Sequence, residues 1–167
     1  MAEAIDDQAT LVAEAGTGVG KTFGYLVPLL LSQRRAIVST ATKNLQDQLF
    51  LRDLPRLRDA LGVPVRMALL KGRANYLCRH RLNLADQALA LPGMEPPSKR
   101  TLTRIRTWSH GTRSGDLSEL EGLSDSDPAW GVVTSTRDNC LGNECGEYSR
   151  CHVVQARRVG AYRGDRD

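Results

Sequence analysis

The chain is poor in several things, and each shortage excludes something. Aromatic residues make up only 5% of its 167 residues, so any core must be mainly aliphatic. The longest apolar run, Tyr25–Leu31, is interrupted by Pro28. A bilayer span takes about 20 apolar residues, so no transmembrane helix is expected. The opening MAEAIDDQAT has neither a basic stretch nor an apolar one, which argues against a secretory leader. With no export signal the compartment is expected to be cytoplasmic and reducing, a poor setting for disulfides among the four cysteines. No closely spaced cysteine pair of the kind typical of structural zinc occurs.

What is present reads as globular. Hydrophobic residues are 41% and charged residues 25%, ordinary values that exclude disorder over the whole length. The net charge is +4, unevenly spread. Residues 71–113 carry nine cations (Lys71, Arg73, Arg79, Arg81, Lys99, Arg100, Arg104, Arg106 and Arg113) against Asp86 and Glu95. Residues 114–147 carry eight acids and one cation, Arg137. The basic block is either a solvated helical face or a footprint for a phosphate backbone.

The chain alternates strand and helix patterns over its first part. Segments 9–15, 35–40 and 65–70 read as short strands, and 21–33 and 42–60 as helices. Pro28 is expected to kink or shorten the first helix, and Pro55 to break the second in two. This order implies βαβ units and a parallel sheet, hence an α/β class. Beyond a boundary near residue 72 the pattern changes. Residues 73–90 and 99–109 read as helices around a proline-rich linker, 91–98, and 138–151 form a compact cysteine-bearing loop.

Residues 15–22, AGTGVGKT, follow a predicted strand and open a predicted helix, the context a phosphate-binding loop requires. Backbone N–H groups around Gly16, Thr17, Gly18, Val19 and Gly20 are placed to cradle phosphate oxygens, aided by the partial charge of the helix N-terminus. Lys21 supplies a cation for the β- and γ-phosphates of ATP, and the Thr22 hydroxyl a ligand for Mg²⁺. Ala15 occupies the first position of the motif.

The cysteines run Cys78, a gap of 61 residues, Cys140, four residues, Cys145, five residues, Cys151. Spacing alone leaves a cubane cluster, a zinc site and structural thiols all open.

AGTGVGKT, then IVSTATKNLQDQL at 37–49 and LLKGRANYLC at 69–78, resemble the first motifs of DinG/YoaA-type DNA helicases, bacterial relatives of the XPD-like iron–sulfur helicases. The resemblance covers roughly residues 3–158. It implies an ATP-dependent 5′–3′ helicase acting on single-stranded DNA. The implied fold is α/β, a partial RecA-like P-loop parallel sheet (1–72) with an inserted, mainly helical iron–sulfur domain (73–155). Cys78, Cys140, Cys145 and Cys151 are then the ligands of a 4Fe–4S cluster, with His80 and His152 beside them as non-ligands. Thr40, Thr42, Lys43 and Gln46 would lie along DNA, although simple N-capping by Thr40 or Thr42 explains the threonines equally well. Arg73 and the other cations of the basic block would follow the DNA backbone, with Tyr76, Trp108, Trp130 and Tyr148 as stacking candidates; for each aromatic, packing is the stronger expectation.

Three departures from the family matter. No DEAH-like acidic motif follows, no second motor domain is present, and the residues expected to read adenine are absent. The chain alone is therefore expected to bind phosphates without turning over ATP. Residues 159–167, VGAYRGDRD, leave the family pattern, which suggests a truncated or frame-shifted product with an atypical tail at 156–167. The alternative reading is a free-standing ATP- or DNA-binding iron–sulfur module without motor activity. A third is a P-loop ATPase with a zinc-bound insertion. Nothing in the sequence implies a homo-oligomer or a membrane partner.

Overall fold

The computed structural model describes residues 1–85, 98–124 and 126–161. The expected linker at 91–98 lies outside them except for Ser98, as do Asp86, Glu95 and the end of the tail, 162–167. The chain divides into two compact units, Met1–Met67 and Ala68–Asp167.

In the first unit a short helix, α1 (Ala2–Asp6), precedes α2 (Lys21–Ser32). Leu26 and Leu30, one turn apart on α2, are buried and pack with Leu49 and Leu57. Pro28 does not end α2, which continues to Ser32. Its missing N–H removes only the bond to the Gly24 carbonyl, while the helix is held by the buried Leu26 and Leu30. The Thr42 side chain accepts a 3.3 Å hydrogen bond from the Leu45 amide and starts α3 (Lys43–Gln48). The helical path then widens into a π-turn over Leu49–Asp53 and resumes as α4 (Leu54–Leu61). Pro55 therefore does not split this helix into separate pieces. Proline cannot donate to the residue four back and crowds its carbonyl, and the wider π-turn just before Pro55 absorbs both effects. Asp53 is buried there, bonded by Gln48 Nε2 at 3.0 Å and Arg52 Nε at 3.1 Å. The Gln48 bond, opposed by burial and aided by Arg52, holds its carboxyl below the usual range.

Segments 9–15 and 35–40 lie between these helices and 65–70 follows α4; none of the three forms a ladder with another. Their apolar residues face outward in part: Val12 is 92% and Ile37 91% exposed. Among the described residues the one β-type pairing is an isolated antiparallel bridge between Tyr76 and Asp116.

The second unit is helical with tight turns. Its elements are α5 (Arg79–Leu84), α6 (Lys99–Gly111), α7 (Ala129–Val133) and α8 (His152–Ala161), with single 3-10 turns at Arg73–Asn75, Leu117–Glu119, Gly142–Glu144 and Tyr148–Arg150. The Ser98 hydroxyl caps α6 by accepting from the Thr101 amide at 3.0 Å. Leu77, Leu82, Leu102, Ile105, Val132 and Val133 form its aliphatic core. Lys71 and Asp116 pair at 2.8 Å, with the Lys71 side chain only 3% exposed. No described helix is long and apolar enough to cross a membrane.

Candidate phosphate-binding loop and cysteine centre

The glycine loop has the backbone that a phosphate-binding loop requires. Gly18 and Gly20 both adopt the left-handed region at φ +79°, which other residues enter only with strain. Gly20 is the N-cap of α2 and carries no capping side chain. The first-turn amides of α2 have no acceptor within the helix, and they open towards the loop as an anion-binding terminus. No Cβ placed on Gly16, Gly18 or Gly20 would touch another residue, so backbone conformation, not crowding, demands glycine at the two left-handed positions. Lys21 Nζ reaches back across the loop to donate to the Ala15 carbonyl at 2.8 Å. That bond holds the ammonium over the loop, where a phosphate oxygen can replace the carbonyl. Thr22 is half-buried at the second position of α2, while Thr17 and Val19 are exposed on the turn.

The four cysteines come together. Cys78, Cys140, Cys145 and Cys151 are all reduced and half-buried, and all line one cavity of about 420 Å³. Burial pushes the Cys78 thiol up; the Arg81 amide opposes this, and Cys151, Cys145 and Cys140 close by push it further up. Leu77, Leu141, Val153 and Val154 give the cavity apolar walls, and Arg73, His80, Arg157 and Arg158 give it basic side chains. Each cysteine-bearing segment is fixed locally. The Cys78 amide donates to the Val133 carbonyl at 2.8 Å, and Arg81 donates to the carbonyls of Val132 and Gly131, both at 3.1 Å. Successive turns close the other loop, with Tyr148 N on Cys145 O at 2.9 Å and Cys151 N on Tyr148 O at 3.2 Å.

Four thiols are a donor set that zinc and an iron–sulfur core can both take. Among the described residues no group of three or more His, Cys, Asp or Glu is gathered to hold one metal ion. Four soft thiols around a roomy, largely apolar cavity are the donors an iron–sulfur core takes.

Several sequence expectations change here. Lys71 is buried in its pair with Asp116 and hydrogen-bonds Ser118 Oγ at 3.2 Å. Arg104 donates to the carbonyls of Glu121 and Gly122, and Arg106 to that of Leu82. With Arg81, these arginines are committed to carbonyls within the unit, because short helices and turns leave many C=O groups without backbone partners. Lys99 and Arg100 stay exposed at the start of α6. Trp108 and Trp130 pack against the core, and Trp130 Nε1 donates to the Ser124 carbonyl at 2.8 Å. Tyr76 is buried, its hydroxyl accepting from the Lys71 amide at 3.0 Å. Tyr148 alone of the four aromatics is both exposed and on the cavity. Thr42 is the helix cap, and Thr40 Oγ1 donates to the Thr42 carbonyl at 3.3 Å. Lys43 is exposed at the first position of α3.

Two cavity cations, Arg157 and Arg158, are not singled out by the sequence reading. Their signal is there: Val153 and Arg157, and Val154 and Arg158, stand four apart and share a helix face. His152, expected near the ligands or in solvent, is buried at 2% exposure. Burial and the charge of Arg79 hold its imidazole below the ordinary histidine value, opposed by the backbone of Arg113 and by Glu119.

No family model matches the chain. It is 46% identical over 157 residues to the protein named ATP-dependent DNA helicase YoaA from Haemophilus influenzae, covering 93% of this chain and 24% of that one. The Escherichia coli protein of the same name is 46% identical over 156 residues, with the same coverage. The ATP-dependent helicase DinG of Mycobacterium tuberculosis is 36% identical over 178 aligned positions, covering 94% of this chain and 26% of that one. The chain thus spans about a quarter of the length of these curated relatives. With a phosphate-loop backbone and a gathered cysteine set in the matched region, the chain belongs to the DinG/YoaA-type ATP-dependent helicases, of which it represents one segment.

Proposed function

We propose that this chain is the N-terminal part of a 5′–3′ ATP-dependent DNA helicase that carries a 4Fe–4S cluster and acts on single-stranded DNA in the cytoplasm, at the nucleoid. The observation that carries the reading is the convergence of Cys78, Cys140, Cys145 and Cys151 on one cavity, which a plain P-loop ATPase has no use for. The four thiolates would hold the cluster, which supplies a cross-link between distant loops and so folding energy for a small unit. Arg73, on the same cavity, would meet the DNA backbone beside them.

In the first unit Ala15–Thr22 would hold the ATP phosphates. The amides of Gly16–Gly20 and the first turn of α2 point at the anion, Lys21 exchanges the Ala15 carbonyl for a phosphate oxygen, and the Thr22 hydroxyl offers itself to Mg²⁺. Segments 9–15, 35–40 and 65–70 are not helical and carry exposed apolar residues such as Val12 and Ile37, which strands of a RecA-like parallel sheet would bury. Lys43 and the Thr40–Thr42 turn, at the start of α3, would lie along the DNA strand, where amides and hydroxyls hold phosphates. ATP turnover also needs an acidic motif and a second motor domain, so residues 1–167 taken by themselves are expected to bind ATP without turning it over.

The test is anaerobic purification of the chain. The expected product is brown, with about four iron and matching sulfide per chain. Stoichiometric zinc without visible absorption overturns the cluster. DNA-stimulated phosphate release on the order of 1 per second, absent from Lys21→Ala, overturns the inactive-segment reading.

A further inference from the structure

Gly115 stands between the two segments that bring the most distant cysteines together. It adopts φ +66°, and its amide donates to Thr112 Oγ1 at 2.9 Å. Its carbonyl accepts the amide of Leu77, the residue before Cys78, at 2.8 Å. Against its α-carbon lies the imidazole of His152, the residue after Cys151. A Cβ on Gly115 would fall 2.3 Å from His152 Cγ and 2.4 Å from Cδ2. Of the other described glycines where an added methyl would meet a neighbour, Gly122 meets only the guanidinium of Arg104, and Gly72 only the amide of Asn75.

His152 has an unusual environment for a polar ring. It is 2% exposed, with the Arg113 backbone as a polar neighbour of the ring. The cavity is lined by Cys151 and Val153, on either side of His152, while His152 itself is not among its walls. The ring therefore faces away from the cysteines and onto the glycine.

We propose that Gly115 and His152 form a positioning contact that sets Cys78 and Cys151 opposite each other across the cysteine cavity. One end of the contact is the Leu77 amide bond, which fixes the backbone ahead of Cys78. The other is the flat ring seated on a residue without a side chain, which fixes the start of α8 and Cys151 before it. Gly115 is required twice, by its left-handed backbone and by the space the ring fills. The role of the contact in cluster binding rests on the iron–sulfur reading above; its role in placing the two cysteines does not.

The experiment uses the full 167-residue chain. In iron- and sulfide-loaded protein, Gly115→Ala is expected to release iron to a chelator about tenfold faster than wild type or more, as loss of support around ligands does, and to shift the electron paramagnetic resonance signal of the reduced cluster. Gly115→Ala with His152→Ala recovers part of the retention, because the ring that the new methyl meets is gone. His152→Phe, which keeps a flat ring and discards both nitrogens, retains iron far better than His152→Ala. Gly122→Ala, with a comparable backbone at φ +71°, serves as the control and releases iron as wild type does. A second arm needs no metal. In a chain with Cys140→Ser and Cys145→Ser, bridging of Cys78 to Cys151 by dibromobimane falls several-fold on Gly115→Ala. Should Gly115→Ala not fold, His152→Ala carries both arms. Unchanged iron release together with unchanged bridging overturns the proposal. A wild-type chain that takes up no iron and sulfide, with bridging still lost in the variant, removes the cluster reading and leaves the positioning contact standing.

Discussion

The candidate phosphate loop would draw its donors from eight consecutive residues, Ala15–Thr22, most of them backbone amides. The cysteine centre draws four side chains from two segments separated by 61 residues of sequence between Cys78 and Cys140. The loop needs only two left-handed glycines and a helix start, Gly18, Gly20 and α2. The centre needs a folded unit behind it: the Lys71–Asp116 pair, the Cys78–Val133 backbone bond and the Gly115–His152 contact. Local geometry can be written in a short motif and is tolerant of its surroundings. A dispersed donor set has no local code for its geometry, so it is exposed to damage anywhere in its scaffold.

Breaking the centre directly should have the largest effect. Cys140→Ser removes one of four thiolates and is expected to abolish the brown colour and bound iron, read by visible absorption and iron assay. The scaffold comes next. Lys71→Met leaves the Asp116 carboxylate without its buried partner and should cost the second unit about 3 kcal/mol, measured by urea unfolding. Burial opposes but does not overcome the hydrogen bonds and charge of Lys71 and the Ser118 bonds, so the Asp116 carboxyl sits below its ordinary value. A depressed folded value means this stability is fully present above the unfolded value, about 3.9, and is lost as pH falls through the folded one. Asp116→Asn should flatten that acid limb in a pH series of melting temperatures.

The loop should yield smaller, more local losses. Lys21→Ala removes a charged contact to phosphate worth about 1.5–3 kcal/mol, which weakens ATP binding in equilibrium titration. Gly20→Ala forces a side chain into the left-handed region at a cost of about 1–2 kcal/mol, seen as weaker ATP binding with the second unit's melting unchanged. The smallest effect is expected from Thr42→Ala, which removes the α3 cap for about 1 kcal/mol. Its thermal melt tests the cap, and a salt-dependent loss of DNA binding beyond that cost supports the DNA role.

Legibility follows the same divide. The start of α2 at Lys21, the Thr42 cap and the helix from Lys99 are readable because each depends on residues within a turn or two. Pro28 and Pro55 look like stops in the sequence and are not, because burial of Leu26 and Leu30 and a π-turn at Leu49–Asp53 offset what proline removes. The basic block looks uniform in sequence, yet folding commits Lys71, Arg81, Arg104 and Arg106 to carbonyls or a carboxylate. Trp108 and Trp130 likewise turn to the core.

The sequence by itself determined the shape of the candidate phosphate loop, since Gly18, Gly20 and Lys21 set backbone angles and a helix start that neighbouring residues dictate. It also supplied four thiols whose spacing leaves their use open, with a common set being what the resemblance implies. Only the tertiary structure decided that the four face one cavity, that Asp116 neutralises Lys71, and that the His152 ring rests on Gly115. Those contacts join residues dozens of positions apart, and their geometry is fixed by how the aliphatic core around Ile105 and Val133 closes, which no local pattern encodes.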